Sequence, residues 1–236
     1  MKPKISFVMP VYNGAPFMVQ TLEGLKNQNL KEIEILVIDD GSTDSLPELM
    51  EYYVGLDNRI RYHRFEDNKG AARCRNYGNK EARAKIIHVT DCGDIYPSCK
   101  ARLVYNYFKK HPDIGVFSTA VTGVDHFGIE LHTQRMQAFT GRKGEKPNIS
   151  HATAAYRKWI ALKWPYRETS KVTDNYDAFF LTLAKNGIKF GATKKVYLRV
   201  LHINYKYHRD TREGRHIKKQ VYKEFNIPIP AWLEKY

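Results

Sequence analysis

The sequence predicts an α/β fold with a mostly parallel central sheet and flanking helices. Short runs rich in Ile and Val alternate with longer amphipathic runs through the first half of the chain. Parallel strands joined by crossover helices give this pattern. The strand-like run Glu34-Ile35-Leu36-Val37-Ile38 ends abruptly in Asp39-Asp40-Gly41-Ser42-Thr43-Asp44. That places carboxylates where open sheets of this kind bind ligands. With 236 residues and 42% hydrophobic content, the chain can bury the core of one large domain.

Each element follows from its local pattern. Ile5 to Pro10 reads as the first strand. Phe17, Val19, Leu22 and Leu25 mark a helix from about Pro16 to Asn27, with the proline near the first turn, where its missing N–H is harmless. Ile33 to Asp39 is the second strand, and a helix follows over Ser45 to Val54, with Thr43 or Asp44 as its cap. Ile60 to Phe65 alternates apolar and basic residues, as a half-exposed strand does. Gly70 to Ala84 is helical in composition, and Ile86 to Thr90 is a fourth strand ending at Asp91. Ser98 is placed to cap a helix that runs to Lys110, and Ile114 to Val121 is another strand. The pattern then loosens: a hairpin over Val124 to Ile129, a mobile loop over Thr140 to Ser150, and helices near Ala154 to Ala161 and Asn175 to Asn186.

The net charge of +14 is unevenly spread. Nine Lys/Arg face three acids between Arg59 and Lys85, and eleven face four from Lys194 to Tyr236. Such fields attract phosphates, anionic lipid or nucleic acid, against the plainer reading of a basic solvated face. Cys74, Cys92 and Cys99 lack metal-ligand spacing and read as reduced thiols, which implies a cytoplasmic setting. No apolar run approaches the roughly 20 residues of a transmembrane helix, and the start lacks the apolar core of a signal peptide. The tail, with Tyr205, Tyr207, Tyr222, Trp232 and Tyr236, is suited to peripheral contact with the inner membrane face. No G-x-G-x-x-G follows the first strand and no Walker A loop occurs, which argues against dinucleotide oxidoreductases and P-loop enzymes.

Acids recur at strand ends or helix starts: Asp39 and Asp40, Asp67, Asp91 and Asp94, and Asp174. In a parallel sheet these ends share one edge. Convergent carboxylates are costly unless a cation or ligand hydroxyl groups compensate them. A divalent metal holding a diphosphate would do so, since hard cations prefer carboxylate and phosphate oxygens.

The ordered set Pro10-Val11-Tyr12-Asn13, Asp39 to Asp44, Asn68-Lys69-Gly70 with Ala72-Arg73, and Asn76-Tyr77-Gly78 resembles a family 2 glycosyltransferase of the GT-A fold. Asp91-Cys92-Gly93-Asp94 sits where that family has its DXD-type metal motif. His151 to Lys158 is similar to its acceptor-side segment, and Thr173-Asp174-Asn175-Tyr176-Asp177 falls where its catalytic acid pair lies. Tyr197, Arg199 and His202 resemble its closing segment. The match runs in order from about residue 4 to 205.

The resemblance implies a domain over 1–205, with a nucleotide-sugar-binding half (1–120) and an acceptor half (121–205). A basic aromatic extension would cover 206–236. It further implies transfer of a sugar from a nucleotide-diphosphate donor, UDP-sugar favoured, to an acceptor hydroxyl, with inversion. Pro10, Tyr12, Asn13, Asp39, Asp40, Asn68, Gly70, Arg73 and Asp91 would border the donor, with Tyr12 stacked on the base. Asp91, Asp94 and His202 would hold Mn or Mg, and Asp174 would be the general base. Gly93 departs from the family pattern, which carries an acid at that position. The acceptor would be a glycan or lipid-linked glycan. DNA bearing a hydroxylated base is an alternative acceptor, and a catalytically degenerate carbohydrate- or nucleic-acid-binding module is the non-enzyme alternative.

Overall fold

A computed structural model describes residues 2–124, 130–134, 147–168, 176–201, 219–220 and 223–224. Its first half alternates β1 (Ile5–Val11), α1 (Ala15–Lys26), β2 (Ile33–Asp39), α2 (Leu46–Leu56), β3 (Ile60–Arg64), α3 (Ala71–Glu81), β4 (Ile86–Val89), α4 (Lys100–Lys110) and β5 (Val116–Val124). There follow β6 (Glu130–Gln134), a 3-10 turn at His151–Thr153, β7 (Ala155–Arg157), α5 (Lys158–Lys163), α6 (Tyr176–Lys185) and β8 (Phe190–Leu201).

The strands form one sheet in the order β3-β2-β1-β4-β7-β5-β6, with β8 along the other side of β5. Strands β1 to β4 are mutually parallel. β7 runs antiparallel to both β4 and β5, so β5 points the same way as the first four. The carboxyl ends of β1 to β5 therefore share one rim, as expected of the mostly parallel sheet.

Both faces of this sheet are covered, which is why β2 reads as an unbroken apolar run. Ile5, Phe7, Met9, Ile35 and Val37 pack with Met18, Leu22 and Leu25 of α1 and Val104 and Phe108 of α4. Val8, Ile87 and Val89 face the other way, toward Ala72 of α3, Ile160 of α5 and Phe179 and Leu183 of α6. The period-2 alternation of strand residues thus sorts each side chain to its own layer. Pro10, which has no N–H to donate, lies beyond the last β1–β4 pair, Val8 with Val89.

Three expectations change. Residues 155–157 are a strand where their composition reads as helix, and the helix begins only at Lys158. Insertion between β4 and β5 decides this, because two neighbouring strands offer their backbone groups to the segment. Tyr156-Arg157-Lys158, similar to an acceptor-side segment, is engaged in packing. The Tyr156 hydroxyl donates to Asn79 Oδ1 at 3.0 Å. Arg157 donates to the carbonyls of Phe108, His111, Pro112 and Ile114, closing the end of α4, and Lys158 Nζ donates to Lys80 and Ala82 at the end of α3. Helix ends leave such carbonyls without partners inside the helix. Cys99, not Ser98, stands at the N-cap of α4.

The expected hairpin is flanked by the paired strands β5 and β6, and 125–129 lie outside the described residues. Most of the expected mobile loop, 140–146, also lies outside them, while Pro147 and Ile149 are buried. The 120/121 division falls inside β5, so the two halves build one sheet. In the extension, Glu224 accepts a bidentate ion pair from Arg167 at 2.5 and 2.6 Å.

Arg157→Ala removes four donor contacts to backbone carbonyls, and we expect it to lower stability by about 2 kcal/mol without changing the far-UV circular dichroism. Urea unfolding of the two proteins measures this.

Candidate functional site

The polar run after β2 is consumed in tying loops together. Asp39 is fully buried; Oδ1 accepts from Ser42 N–H at 2.8 Å, and Oδ2 accepts from the Tyr62 hydroxyl, with Arg64 Nε at 3.5 Å. Asp40 is 3% exposed, and its two oxygens accept from Lys69 and Gly70 N–H at 2.9 and 2.7 Å. A buried carboxylate without such donors would be prohibitively costly, so these bonds hold the β3–α3 loop against the end of β2. Gly41, at φ +78°, lets the two segments touch: a Cβ there would lie 2.9 Å from Asp67 C and 3.1 Å from Asn68 N. The Asp39 and Asp40 oxygens, expected to face a ligand, each accept a hydrogen bond from within the protein.

Asn13 performs the same service for the loop after β1. It adopts φ +51°, a conformation asparagine tolerates better than most residues. Its N–H donates to Ser42 Oγ at 2.9 Å and its Oδ1 accepts from Thr43 N–H at 2.8 Å. Asp44 accepts from Ala15 N–H, the first residue of α1, and from Leu46 N–H, the first residue of α2. Ser45, and neither Thr43 nor Asp44, stands at the N-cap of α2, while the Asp44 carboxylate satisfies the first N–H of each helix from outside the cap position. Tyr12, between these tethered residues, is left 49% exposed.

The loop after β4 is fixed from below. Thr21 Oγ1 accepts from Gly93 N–H and donates to Asp94 C=O, both at 2.9 Å, and Gln20 Nε2 donates to Gly93 C=O. Gly93 has φ +98°, so a side chain there would be strained whatever it carried. Asp91 and Asp94 then part company. Asp91 remains partly open and accepts from Arg75 Nη2 at 2.8 Å. Asp94 is buried, with the Tyr96 hydroxyl 3.4 Å from its Oδ2. Burial, reinforced by the charge of Asp91, pushes the Asp94 carboxyl well above the usual carboxylate range. Of the two carboxylates expected to hold a metal, Asp91 is thus partly open and Asp94 buried. Burial also raises the Cys92 thiol to about 12, as fits a small filler and not a thiolate ligand.

Arg73 lies over the Phe65 ring at 4.0 Å and donates to Asp67 Oδ1 at 3.2 Å. Asn68 is half-buried and Gly70 buried in the same loop. At the start of β7, His151 Nε2 lies 3.1 Å from the Tyr166 hydroxyl, and its ring stacks on Tyr176, the first residue of α6, at 4.9 Å. Ala154 C=O accepts from Val89 N–H, so this turn stands beside the end of β4. Pro10, Tyr12, Asn13, Asp39, Asp40, Asn68, Gly70, Arg73, Asp91 and Asp94 are thus gathered on one rim. Asp174 and His202 lie outside the described residues, and Tyr197 and Arg199 lie on β8. Among the described residues, no group of three or more His, Cys, Asp or Glu side chains is placed to hold a metal.

The sequence reading missed Arg75. The available signal was its place on the core-facing stripe of α3 with Ala72 and Asn79, where an ordinary solvated arginine does not belong. It also missed a polar layer beneath the rim. Fully buried Lys100 donates to Thr119 Oγ1 at 2.8 Å, and burial lowers its amine to about 7. His88 is fully buried and held neutral by burial and by Lys100; among the described residues neither ring nitrogen has a partner.

A family model described as glycosyl transferase family 2 matches residues 6–161, more than half of the chain, and spans every loop of this rim. The chain belongs to that family. Glycosyltransferase GlyG of Streptococcus pneumoniae serotype 4 is 32% identical over 149 residues, which cover 58% of this chain and 50% of GlyG. The minor teichoic acid biosynthesis protein GgaA of Bacillus subtilis 168 is 31% identical over 137 residues, 55% of this chain and 30% of GgaA. The chain therefore spans about half the length of the first relative and less of the second. The crystal structure of S. aureus TarS 1-349 in complex with UDP superposes with a TM-score of 0.73 at 20% identity, covering 96% of this chain and 67% of that one. The mannosyltransferase PcManGT of Pyrobaculum calidifontis, in complex with GDP-Man and Mn2+, gives 0.71 at 16% identity, covering 99% and 67%. This likeness shows the expected GT-A fold.

Asp40→Asn replaces one loop acceptor by an amide N–H that faces other N–H groups. We expect a stability loss of about 1–3 kcal/mol, measured by urea unfolding, with Asp67→Asn as the exposed control that changes little.

Proposed function

We propose that this chain transfers a sugar from a nucleotide-diphosphate donor, a UDP-sugar by preference, to an acceptor hydroxyl by a single inverting displacement. The observation that carries the reading is the shared rim: an open aromatic ring at Tyr12, an open carboxylate at Asp91 backed by buried Arg75, and between them a loop fixed by Asp40. TarS has been captured with UDP and with UDP-GlcNAc, and PcManGT with GDP-Man and Mn2+. Those complexes support a nucleotide-sugar donor here.

The Tyr12 face is suited to stack on the base. Asn68, Gly70 and Arg73 border the nucleotide, and Arg73, steered by Phe65 and Asp67, offers a guanidinium to phosphate. Asp39, Asp40, Asn13 and Pro10 act one step back by setting the positions of these groups.

Divalent metals are commonly held by one or two carboxylates together with substrate phosphate oxygens. Asp91 fits that donor set; Asp94, buried against Tyr96, supports the loop, and His202 remains a candidate ligand. A cation bound there supplies positive charge to the departing diphosphate. Asp174 is the general base in this proposal, taking the proton of the acceptor hydroxyl. Support comes from its place in the chain, two residues before Tyr176, whose ring stacks on His151 at the end of β7 nearest the rim.

The acceptor in this reading is a glycan or lipid-linked glycan of the cell envelope, in keeping with the name of GgaA. The DNA-acceptor and degenerate-module alternatives gain no support from the named relatives. Cys74, Cys92 and Cys99 are free thiols, in keeping with a cytoplasmic location. No helix among the described residues is long and apolar enough to cross a membrane.

A panel of nucleotide sugars, screened by thermal stabilisation with and without Mn2+, identifies the donor, since ligands of the native state raise its melting temperature. With that donor, Asp174→Asn is expected to lower turnover by about 100- to 10,000-fold while leaving the donor Kd within about threefold of wild type. Coupled nucleotide release and calorimetry measure the two. Asp91→Ala should weaken donor binding in Mn2+ by about tenfold or more and erase the difference between Mn2+ and chelator. Unchanged metal dependence would remove Asp91 from the metal site.

A further inference from the structure

The edge of the sheet opposite the donor rim carries a surface that the proposed reaction does not use. β7 runs back from the rim, so α5 begins at this opposite edge, beside the start of β4: Lys158 N–H donates to Lys85 C=O at 2.9 Å. α5 buries Ile160 and Ala161 and turns Trp159 and Leu162 outward, 51% and 53% exposed. Trp164 lies 6.2 Å from Trp159 between ring centroids, and Lys163 Nζ sits 4.6 Å over the Trp164 ring. Trp159 also lines a shallow groove of about 210 Å³ of mixed character, with Ile114 and Ile188 beside Asp113, Arg157 and Lys189, so the surface continues across two neighbouring turns.

This patch is ringed by positive charge. The chain reaches the strand starts from the ends of α3 and α4, and those ends bring Lys80, Arg83, Lys85, Lys109 and Lys110, all exposed, to the same edge as Lys163. Asp113, on the turn before β5, is neutralised by Lys189 at 3.1 Å. Basic residues near helix ends complement the helix dipole, which accounts for part of the ring. It gives no reason to expose an indole and a leucine at the centre. An indole and an aliphatic side chain surrounded by lysines match a membrane interface whose headgroups are anionic.

We infer that this edge docks on an anionic membrane surface, with Trp159 and Leu162 entering the headgroup region and the lysine ring contacting acidic lipids. Docked so, the donor rim faces away from the bilayer, and of the two proposed acceptors the free glycan, not a lipid-linked one in the same membrane, fits this orientation. The inference is independent of the donor reading, because lipid binding is measured without sugar transfer.

The test is cosedimentation of the full chain with vesicles of phosphatidylcholine, alone or with about 30% phosphatidylglycerol. The wild type is expected to pellet with the anionic vesicles only, and less at high salt. The double variant Trp159→Ala/Leu162→Ala should bind about tenfold or more weakly, with an unchanged melting temperature. Trp159→Phe should retain most binding and lose the part of the tryptophan emission that brominated lipid quenches. Failure of the wild type to bind, equal binding to neutral vesicles, or equal binding by the double variant each overturns the inference; the last assigns lipid contact to another region, such as the basic tail. A dimer or a complex with duplex DNA that the double variant abolishes, without vesicle binding, overturns it in favour of that occupant.

Discussion

Two adjacent carboxylates at the end of β2 cannot be buried unless the chain surrounds them with donors, and the whole rim is organised by that requirement. Asp39 turns the backbone back through Ser42 and fastens β3 through Tyr62, while Asp40 seizes two consecutive N–H groups of the β3–α3 loop. Asn13 and Asp44 extend the same device to the loop after β1 and the starts of α1 and α2. Hydrogen bonds to a charged acceptor are among the stronger ones, and low local dielectric strengthens them further. Loops that would otherwise move independently are thereby held as one piece.

The acids on this rim divide by burial. Asp39, Asp40 and Asp94 are enclosed and act on the protein itself, whereas Asp91 keeps an open side and an arginine behind it. A guanidinium remains charged across the working pH range, so Arg75 keeps Asp91 aligned without competing for its proton. Gly93 fits this division. Its backbone is pinned to α1 in a conformation that favours glycine, and the open carboxylate of this loop is the residue two positions earlier.

The alternating elements up to β5 were legible in the sequence because β1, β2 and β4, buried on both faces, leave largely apolar runs, half-exposed β3 alternates, and each helix buries one stripe, which writes a helical period. β7 was not legible, because three residues starting Ala-Tyr carry no strand signature and only the gap between β4 and β5 makes them one. The gathering of acids was visible, since strand ends in a parallel sheet must share an edge. Their division by burial was not: a carboxylate enclosed by a loop and one left open look alike in a sequence. Arg75, Lys100 and His88 were hidden for a related reason, because polar residues are expected outside and their burial depends on partners far away in the chain.

The late arrival of β7 has a consequence for biosynthesis. β4 lies between β1 and β7, so its second edge has no mate until residues 155–157 exist. At the usual pace of translation, the roughly seventy residues from β4 to β7 take about 4 to 14 seconds to emerge. Throughout that interval the nascent chain on the ribosome presents an apolar strand with free backbone groups, the kind of edge on which misassembly begins.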